Sequence, residues 1–474
     1  MTKWLAQLLS WGSLLILARY LSPAEFGLTG MAFSYIGFVT LISEFGIGSA
    51  IISLRNLNDS QVASLNSVSV IFGLFSLALS VFLSGAISSF FRLPKLGPAI
   101  IVMSSTFAIS GLRSIPLALL QKDSQFRLIA LADGTKTLTQ SAATIALAML
   151  GYGYWSIVFG LVAGVLVNSV MIIAWRPFRF ARPKYSLLED AIMFSWRTVV
   201  SRVCWYTYST ADFAVAGRML GPTLLGVYSV AWNFAHIPSE KIVAMVLTVT
   251  PTFLAEVQGD IVQLQRYFLK LCETLIVVMV PAIGGIAVLA PDLVPLVLGK
   301  QWVDSVVPLQ LLGFYTVLNC LVSLMGQISM VTNDVSFGMW MNIIMLMVLP
   351  WGFFIGATWG PVGVAAVWLV LYPILAVPWF VRTLWRLNLK PAIFVGSVMP
   401  GLVCSALMML LVYSLRWTPL WAAPVVVRLI LQVAFGILMY VSCIWILYPE
   451  RSRGYYAMAR SVMGISGRPV PVNM

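Results

Sequence analysis

Apolar runs long enough to cross a bilayer alternate with short polar breaks along the whole chain. They fall at 4–21, 27–53, 66–90, 97–120, 129–150, 154–175, 191–216, 222–250, 266–291, 306–331, 336–357, 361–381, 393–415 and 423–448. A helix rises 1.5 Å per residue, so about 20 residues cross the hydrocarbon layer. The pattern therefore predicts about fourteen transmembrane helices. The breaks carry turn and charge signals, among them Ser22-Pro23, Arg92-Leu93-Pro94-Lys95, Gly151-Tyr152-Gly153, Gly221-Pro222 and Gly360-Pro361. Backbone groups left unpaired in lipid are costly, so runs of this length read as helices. The expected fold class is an all-α polytopic membrane protein.

Composition closes off the other classes. Of 474 residues, 60% are hydrophobic and only 9% charged. A soluble domain carries roughly 25% charged residues, so a soluble enzyme, a disordered chain and a disulfide scaffold are excluded. Cys204, Cys272, Cys320, Cys404 and Cys443 all sit inside apolar runs without paired spacing. Neither zinc nor disulfides are indicated. The net charge of +13 reflects cytoplasmic loops held by Lys and Arg rather than a nucleic-acid partner. No small-x-small cleavage site separates Lys3 from Arg19, so the first helix is expected to be retained.

Counting Lys and Arg in the connections puts seventeen on the side of the N-terminus and seven on the other. This asymmetry predicts two cytoplasmic termini and an even number of spans. A motif, Arg19-Tyr-Leu-Ser-Pro-Ala-Glu-Phe-Gly27, recurs as Arg218-Met-Leu-Gly-Pro-Thr-Leu-Leu-Gly226, with Arg, Leu, Pro and Gly in register. A second copy after six helices implies parallel halves related by an axis along the membrane normal. The expected organisation is a six-helix lobe over 1–175, a basic cytoplasmic linker over 176–190 and a second six-helix lobe over 191–382. Two further helices over 383–448 and a cytoplasmic tail over 449–474 complete it.

Candidate chemistry lies with charges at membrane depth, each costing ~2.5–3.5 kcal/mol on insertion scales. Helix seven is richest. Arg197, Ser201, Trp205, Tyr208 and Asp212 recur at helical spacing on one face, with Arg202, Tyr206 and Ser209 beside them. Guanidinium, aromatic and hydroxyl groups together suit phosphate oxygens and sugar faces. The plainer alternative puts Arg197 at the interface and pairs Arg202 with a neighbouring carboxylate. Arg113 interrupts helix four, and Lys136 follows Asp133 near the start of helix five, so the latter two suit a local ion pair equally well. Glu44, Asp212, Glu240 and Lys241 are candidates for ion coupling or ion pairing, with Glu273 as a further intramembrane carboxylate. His236, the only histidine, precedes Pro238, which is expected to kink helix eight. There is no Walker lysine motif, no acid–base or metal cluster and no connection large enough for a catalytic domain. No catalytic residue, metal or cofactor is expected, and the protein reads as a non-enzyme.

Several stretches match a known family. Ala18-Arg-Tyr-Leu-Ser-Pro-Ala-Glu-Phe-Gly-Leu28 and Ser43-Glu-Phe-Gly-Ile-Gly-Ser-Ala-Ile51 resemble the first two helices of Wzx-type oligosaccharide flippases. These form the polysaccharide transporter branch of the multidrug/oligosaccharidyl-lipid/polysaccharide exporter superfamily. Gly217–Ser229, His236-Ile-Pro238, Pro281–Ala290, Leu298-Gly-Lys-Gln-Trp302 and Pro308-Leu-Gln-Leu-Leu312 are similar as well. The resemblance implies two lobes around a cavity, alternating access, and transfer of polyprenyl-pyrophosphate-linked oligosaccharide to the outer leaflet of the bacterial inner membrane. It serves capsule, exopolysaccharide or O-antigen assembly.

On that reading Arg113, Arg197 and Arg202 offset the pyrophosphate charge, the helix-seven aromatics Trp205 and Tyr208 meet sugars, and Lys136 and Ser201 complete the substrate-binding set. The partners are the lipid-linked oligosaccharide, membrane lipids, and a glycan polymerase with a chain-length regulator. A multidrug or cation exporter is the alternative in the same class, but its cavity should be anionic. A membrane glycan polymerase or ligase is the alternative in another class and would need a long catalytic loop.

Overall fold

A computed structural model describes residues 2–43, 58–177, 179–182, 186–256, 260–332, 334–418, 423–449 and 451. Within these ranges the side chains of 2–8, 11, 42–43, 186–199, 240–256 and 335 fall outside the description. Glu44 therefore lies outside the described residues, as do the side chains of Arg197, Glu240 and Lys241.

The described chain is helical without strands. In order the helices are α1 (Thr2–Tyr20), α2 (Pro23–Ser43), α3 (Asp59–Phe91), α4 (Leu96–Lys122), α5 (Phe126–Met149) and α6 (Trp155–Trp175). A continuous stretch, Ser186–Glu256, is broken at Gly221 (φ 78°, ψ 179°) into α7 (186–220) and α8 (222–256). Then come α9 (Ile261–Val297), α10 (Val306–Val331), α11 (Val335–Gly356), α12 (Gly360–Arg386), α13 (Pro391–Ser414) and α14 (Val425–Leu447). Among the described residues ten helical stretches are long and apolar enough to cross a membrane, and some of them contain more than one of these helices. The protein is a multi-pass membrane protein. Pro238 does not break its helix: Gly221 is the position within 186–256 with non-helical dihedrals.

Two compact units are present. The first comprises Met1–Ala231, Val297–Pro308 and Asp334–Leu371, and the second Trp232–Leu296, Leu309–Asn333 and Tyr372–Met474. In the first unit α3 packs on α4, α5 on α6, α4 on α6 and α1 on α5. Small residues let these backbones approach, as expected where lipid supplies no hydrophobic drive between helices. A Cβ on Gly73 of α3 would meet the Phe107 carbonyl of α4, and one on Gly111 would meet the Ser69 carbonyl. Ser69 donates to the Gly111 carbonyl across the same contact at 3.0 Å. On α6, Gly160 and Gly164 face Thr144 and Gln140 of α5 in the same way. The N-terminus of α3 is closed by an Asn58–Gln61 capping box.

The two copies of the repeated motif meet each other. A Cβ on Gly27 would strike the Pro222 carbonyl, and a Cβ on Gly226 would strike the Pro23 carbonyl. The first turns of α2 and α8 thus cross reciprocally, glycine against proline carbonyl, as two copies related by an approximate two-fold would. Glu25 braces the same corner: one carboxylate oxygen accepts from the Ser22 N–H and hydroxyl, and the other from the Tyr154 N–H at 3.1 Å.

α1 ends against the short 3₁₀ turn Lys300–Ser305. The last carbonyls of a helix lack internal partners. Here Trp302 and Gln301 donate to the Ala18 carbonyl at 2.7 and 2.8 Å. Phe26 also packs edge-on against the Trp302 ring at 5.2 Å.

In the second unit α9 carries Pro281, Pro291 and Pro295. Each proline lacks an N–H and so frees the carbonyl four residues earlier. Two of those oxygens are met by side chains from elsewhere. Tyr440 of α14 donates to the Val277 carbonyl at 2.5 Å, and Gln310 of α10 donates to the Ala287 carbonyl at 2.7 Å. A buried ion pair, Arg428 of α14 with Asp292 of α9 at 2.5 Å, adds a second tie. Leu289, Met408, Val412 and Leu429 form an apolar contact among α9, α13 and α14. At the other end of α9, Glu273 accepts from Lys270 and Arg451 at 3.4 and 3.2 Å.

Candidate functional site

α7 divides its polar residues among three environments. Ser201 and Tyr208, two turns apart on one stripe, both engage Asn342 of α11. The Asn342 amide donates to Ser201 at 2.7 Å, and the Tyr208 hydroxyl donates to the Asn342 carbonyl oxygen at 3.3 Å. Tyr206 points to α2, donating to the Ser34 carbonyl at 3.2 Å. Arg202 and Trp205 stay exposed, with Trp205 48% accessible. They are three residues apart and share a side of the helix. Among the described residues Arg202 forms no ion pair.

Asp212, a turn beyond Tyr208, is fully buried. One oxygen accepts from the Phe213 N–H at 2.8 Å; the other accepts from Tyr228 at 2.5 Å and from the Trp368 indole at 3.0 Å. Tyr228 and Trp368 are themselves fully buried. No basic side chain among the described residues faces this carboxylate. Its donors are neutral, and they link α7, α8 and α12 inside the first unit. A hydrogen bond to a charged group contributes about 1.5–3 kcal/mol. Tyr228→Phe is accordingly expected to lower the melting temperature of the purified protein by several degrees, and an unchanged melt would show that Tyr228 is not needed to satisfy Asp212.

The cations of the N-terminal helices are placed differently from α7. Arg113 of α4 donates to the Asn168 side-chain oxygen at 2.6 Å, and the Asn168 amide donates to Asp133 at 3.3 Å. Asn168 is fully buried on α6. Arg113 thus reaches a carboxylate through an amide, across three helices. Lys136, one turn beyond Asp133 on α5, is half-buried. In the second unit the His236 ring stacks on Trp232 at 4.3 Å and lies 6.2 Å from Tyr315. Its Nδ1 is 2.9 Å from the Trp232 carbonyl, which can only accept, so Nδ1 carries the proton. Among the described residues no group of His, Cys, Asp and Glu is suited to hold a metal.

Asn342, Tyr228, Trp368 and Asn168 were not visible as site residues in the sequence. Each is an uncharged residue within an apolar run, and its partner lies on another helix.

The helices and the polar contacts between them define a polytopic all-α membrane protein. A family model described as "polysaccharide biosynthesis protein" matches residues 16–307, and the chain belongs to that family. An uncharacterized membrane protein in the cps region of Klebsiella pneumoniae is 25% identical over 380 residues, covering 78% of both chains. The lipopolysaccharide biosynthesis protein WzxC of Escherichia coli K12 is 26% identical over 336 residues, 68% of this chain and 66% of its own. Among solved structures, the lipid II flippase MurJ in an inward closed conformation aligns with a TM-score of 0.78. That alignment covers 95% of this chain and 98% of MurJ at 16% identity, a likeness of fold.

Proposed function

We propose that this protein carries polyprenyl-pyrophosphate-linked oligosaccharide from the cytoplasmic to the outer leaflet by alternating access. It acts as a transporter and not as an enzyme, with both termini cytoplasmic and two six-helix lobes facing a shared cavity. The observation that carries the reading is the exposed Arg202–Trp205 pair on α7. An arginine at membrane depth is expensive unless it meets water or an anion. A guanidinium fork fits pyrophosphate oxygens, and the neighbouring indole offers a flat face for a sugar. Membership in the polysaccharide biosynthesis family and the fold shared with a lipid II flippase support the same substrate class. The pair replaces the broader helix-seven strip as the preferred contact, because Ser201 and Tyr208 are engaged by Asn342. A cationic-drug exporter would need an accessible carboxylate, and Asp212, the carboxylate of α7 whose side chain is described, is enclosed.

Arg202→Ala is expected to reduce glycan export by about tenfold or more, the loss of one charge-assisted contact, while the protein still reaches the membrane at normal abundance. Arg202→Lys should restore part of the export if charge dominates over the fork. Export at the wild-type rate by Arg202→Ala, measured as surface polysaccharide in a strain lacking the native gene, would remove Arg202 from the site.

A further inference from the structure

The described residues of the basic connection after α6 are pinned in place. Ser67 of α3 donates to the Ala181 carbonyl at 2.7 Å, and the Ala181 N–H donates back to the same hydroxyl at 3.3 Å. One residue earlier on α3, the buried Asn66 amide donates to the Arg179 carbonyl at 3.4 Å. Ala181 is held by both of its backbone groups, while Arg179, Phe180 and Arg182 around it are exposed. Arg176, where the connection begins, pairs with Asp123 just beyond α4.

Other cations gather at the same end of the helix group. Leu120, Ala132 and Ile172 pack the end of α4, the start of α5 and the end of α6 together. Leu65, Val68, Ile115 and Ala118 bring the start of α3 to the same level. Lys122 closes α4 and Arg127 opens α5, and both are exposed. Asp123 is committed to Arg176, Asp133 engages Asn168 farther along α5, and Asp59 begins α3. Among the described residues positive charge therefore dominates this end. Among these cations stand two apolar rings, Phe126 and Phe180, 63% and 58% accessible.

Charge alone would attract any polyanion. Exposed phenylalanine rings among cations are different, because at a membrane surface the apolar ring enters the acyl boundary while the cations stay in water. We propose that this end of the first unit is a binding site for anionic phospholipids. Arg179, Arg182, Lys122 and Arg127 take the headgroup phosphates, and Phe126 and Phe180 enter the acyl boundary. Ser67 and Asn66 act as positioning residues that hold the strap in its receptive form. This site is separate from Arg202 and stands whether or not the transport reading does.

Native mass spectrometry of the full-length protein, titrated with phosphatidylglycerol or phosphatidylcholine, tests it. The wild type is expected to retain phosphatidylglycerol at concentrations where phosphatidylcholine is lost. Arg179→Gln/Arg182→Gln should weaken phosphatidylglycerol binding by about tenfold and leave phosphatidylcholine unchanged. Lys122→Gln/Arg127→Gln, placed in helix ends, should give a similar loss and serves if the strap variant fails to purify. Ser67→Ala removes an anchor but no charge, and a partial loss there supports a built site. Arg92→Gln/Lys95→Gln, at the far end of α3, should change nothing. Equal phosphatidylglycerol binding by wild type and both glutamine pairs would overturn the proposal, as would an equal loss in the far-end control. Displacement by inorganic phosphate at matched concentration would also overturn it, in favour of a free-phosphate site.

Discussion

Gly226→Ala lowers the melting temperature of the purified protein sharply and reduces its abundance in the membrane: this is the expected result of placing one methyl group where α2 and α8 cross. The new Cβ has no room before the Pro23 carbonyl, and that neighbour is backbone, not a side chain that can swing aside. Overpacking of this kind costs typically 1–3 kcal/mol, and more where two backbones must separate. Intrinsic helix propensity predicts the opposite sign, since alanine is favoured over glycine by about 1 kcal/mol within a helix. The sign of the change therefore decides which effect wins. Gly27→Ala, which would meet the Pro222 carbonyl, should behave alike. The double variant should cost much less than the sum, because both methyl groups force the same two turns apart. Gly285→Ala, with nothing within 4 Å of its added Cβ, is the tolerated control. A Gly226→Ala protein that melts at or above the wild-type temperature would refute the close crossing.

The second large effect concerns the tie between α9 and α14. Arg428→Met removes the partner of Asp292 and leaves a largely buried carboxylate beside an apolar contact. Breaking one side of a buried pair costs about 3–5 kcal/mol, whereas replacing both sides by apolar groups of similar volume is often neutral. The single variant is expected to lose α13–α14 packing first, seen as new protease cleavage after α12 and an early melting phase. Arg428→Met/Asp292→Leu should recover most of the stability. If the double variant is no better than the single one, the loss comes from the arginine's packing and not from a stranded charge. By contrast Lys270 with Glu273, where the lysine is half exposed, is the type of pair whose loss costs no more than about 1 kcal/mol.

Much of the helix pattern could be read from the chain, because bilayer thickness imposes a length that few other constraints produce. The repeat was legible too, as Arg19–Gly27 against Arg218–Gly226. What its glycines do was not, since a missing Cβ records only that something comes close. Helix seven shows where pattern reading stops. Spacing puts Ser201, Trp205 and Tyr208 on one face, but the width of the neighbour covering that face is invisible. Asn342, more than a hundred residues later, takes the outer two and leaves Trp205 bare. Arg113 has no carboxylate within a turn in sequence, yet it reaches Asp133 through Asn168 on a third helix. The motifs that carry the family resemblance have structural duties here. Gln301 and Trp302 close the end of α1, and Gln310 serves a proline-freed carbonyl. Proline position predicts which oxygen is freed, but the donor comes from a distant helix that sequence order does not indicate.

The prolines of α9 leave gaps in the helix's own hydrogen-bond ladder. Two of its open peptide oxygens are chaperoned by different escorts, Gln310 from one side of the chain and Tyr440 from another. In hydrocarbon an unescorted peptide oxygen has no water to turn to. Any swing of α9 during a working cycle must therefore take α10 and α14 along as passengers, which gives the last helix a reason to travel with the machinery instead of merely flanking it.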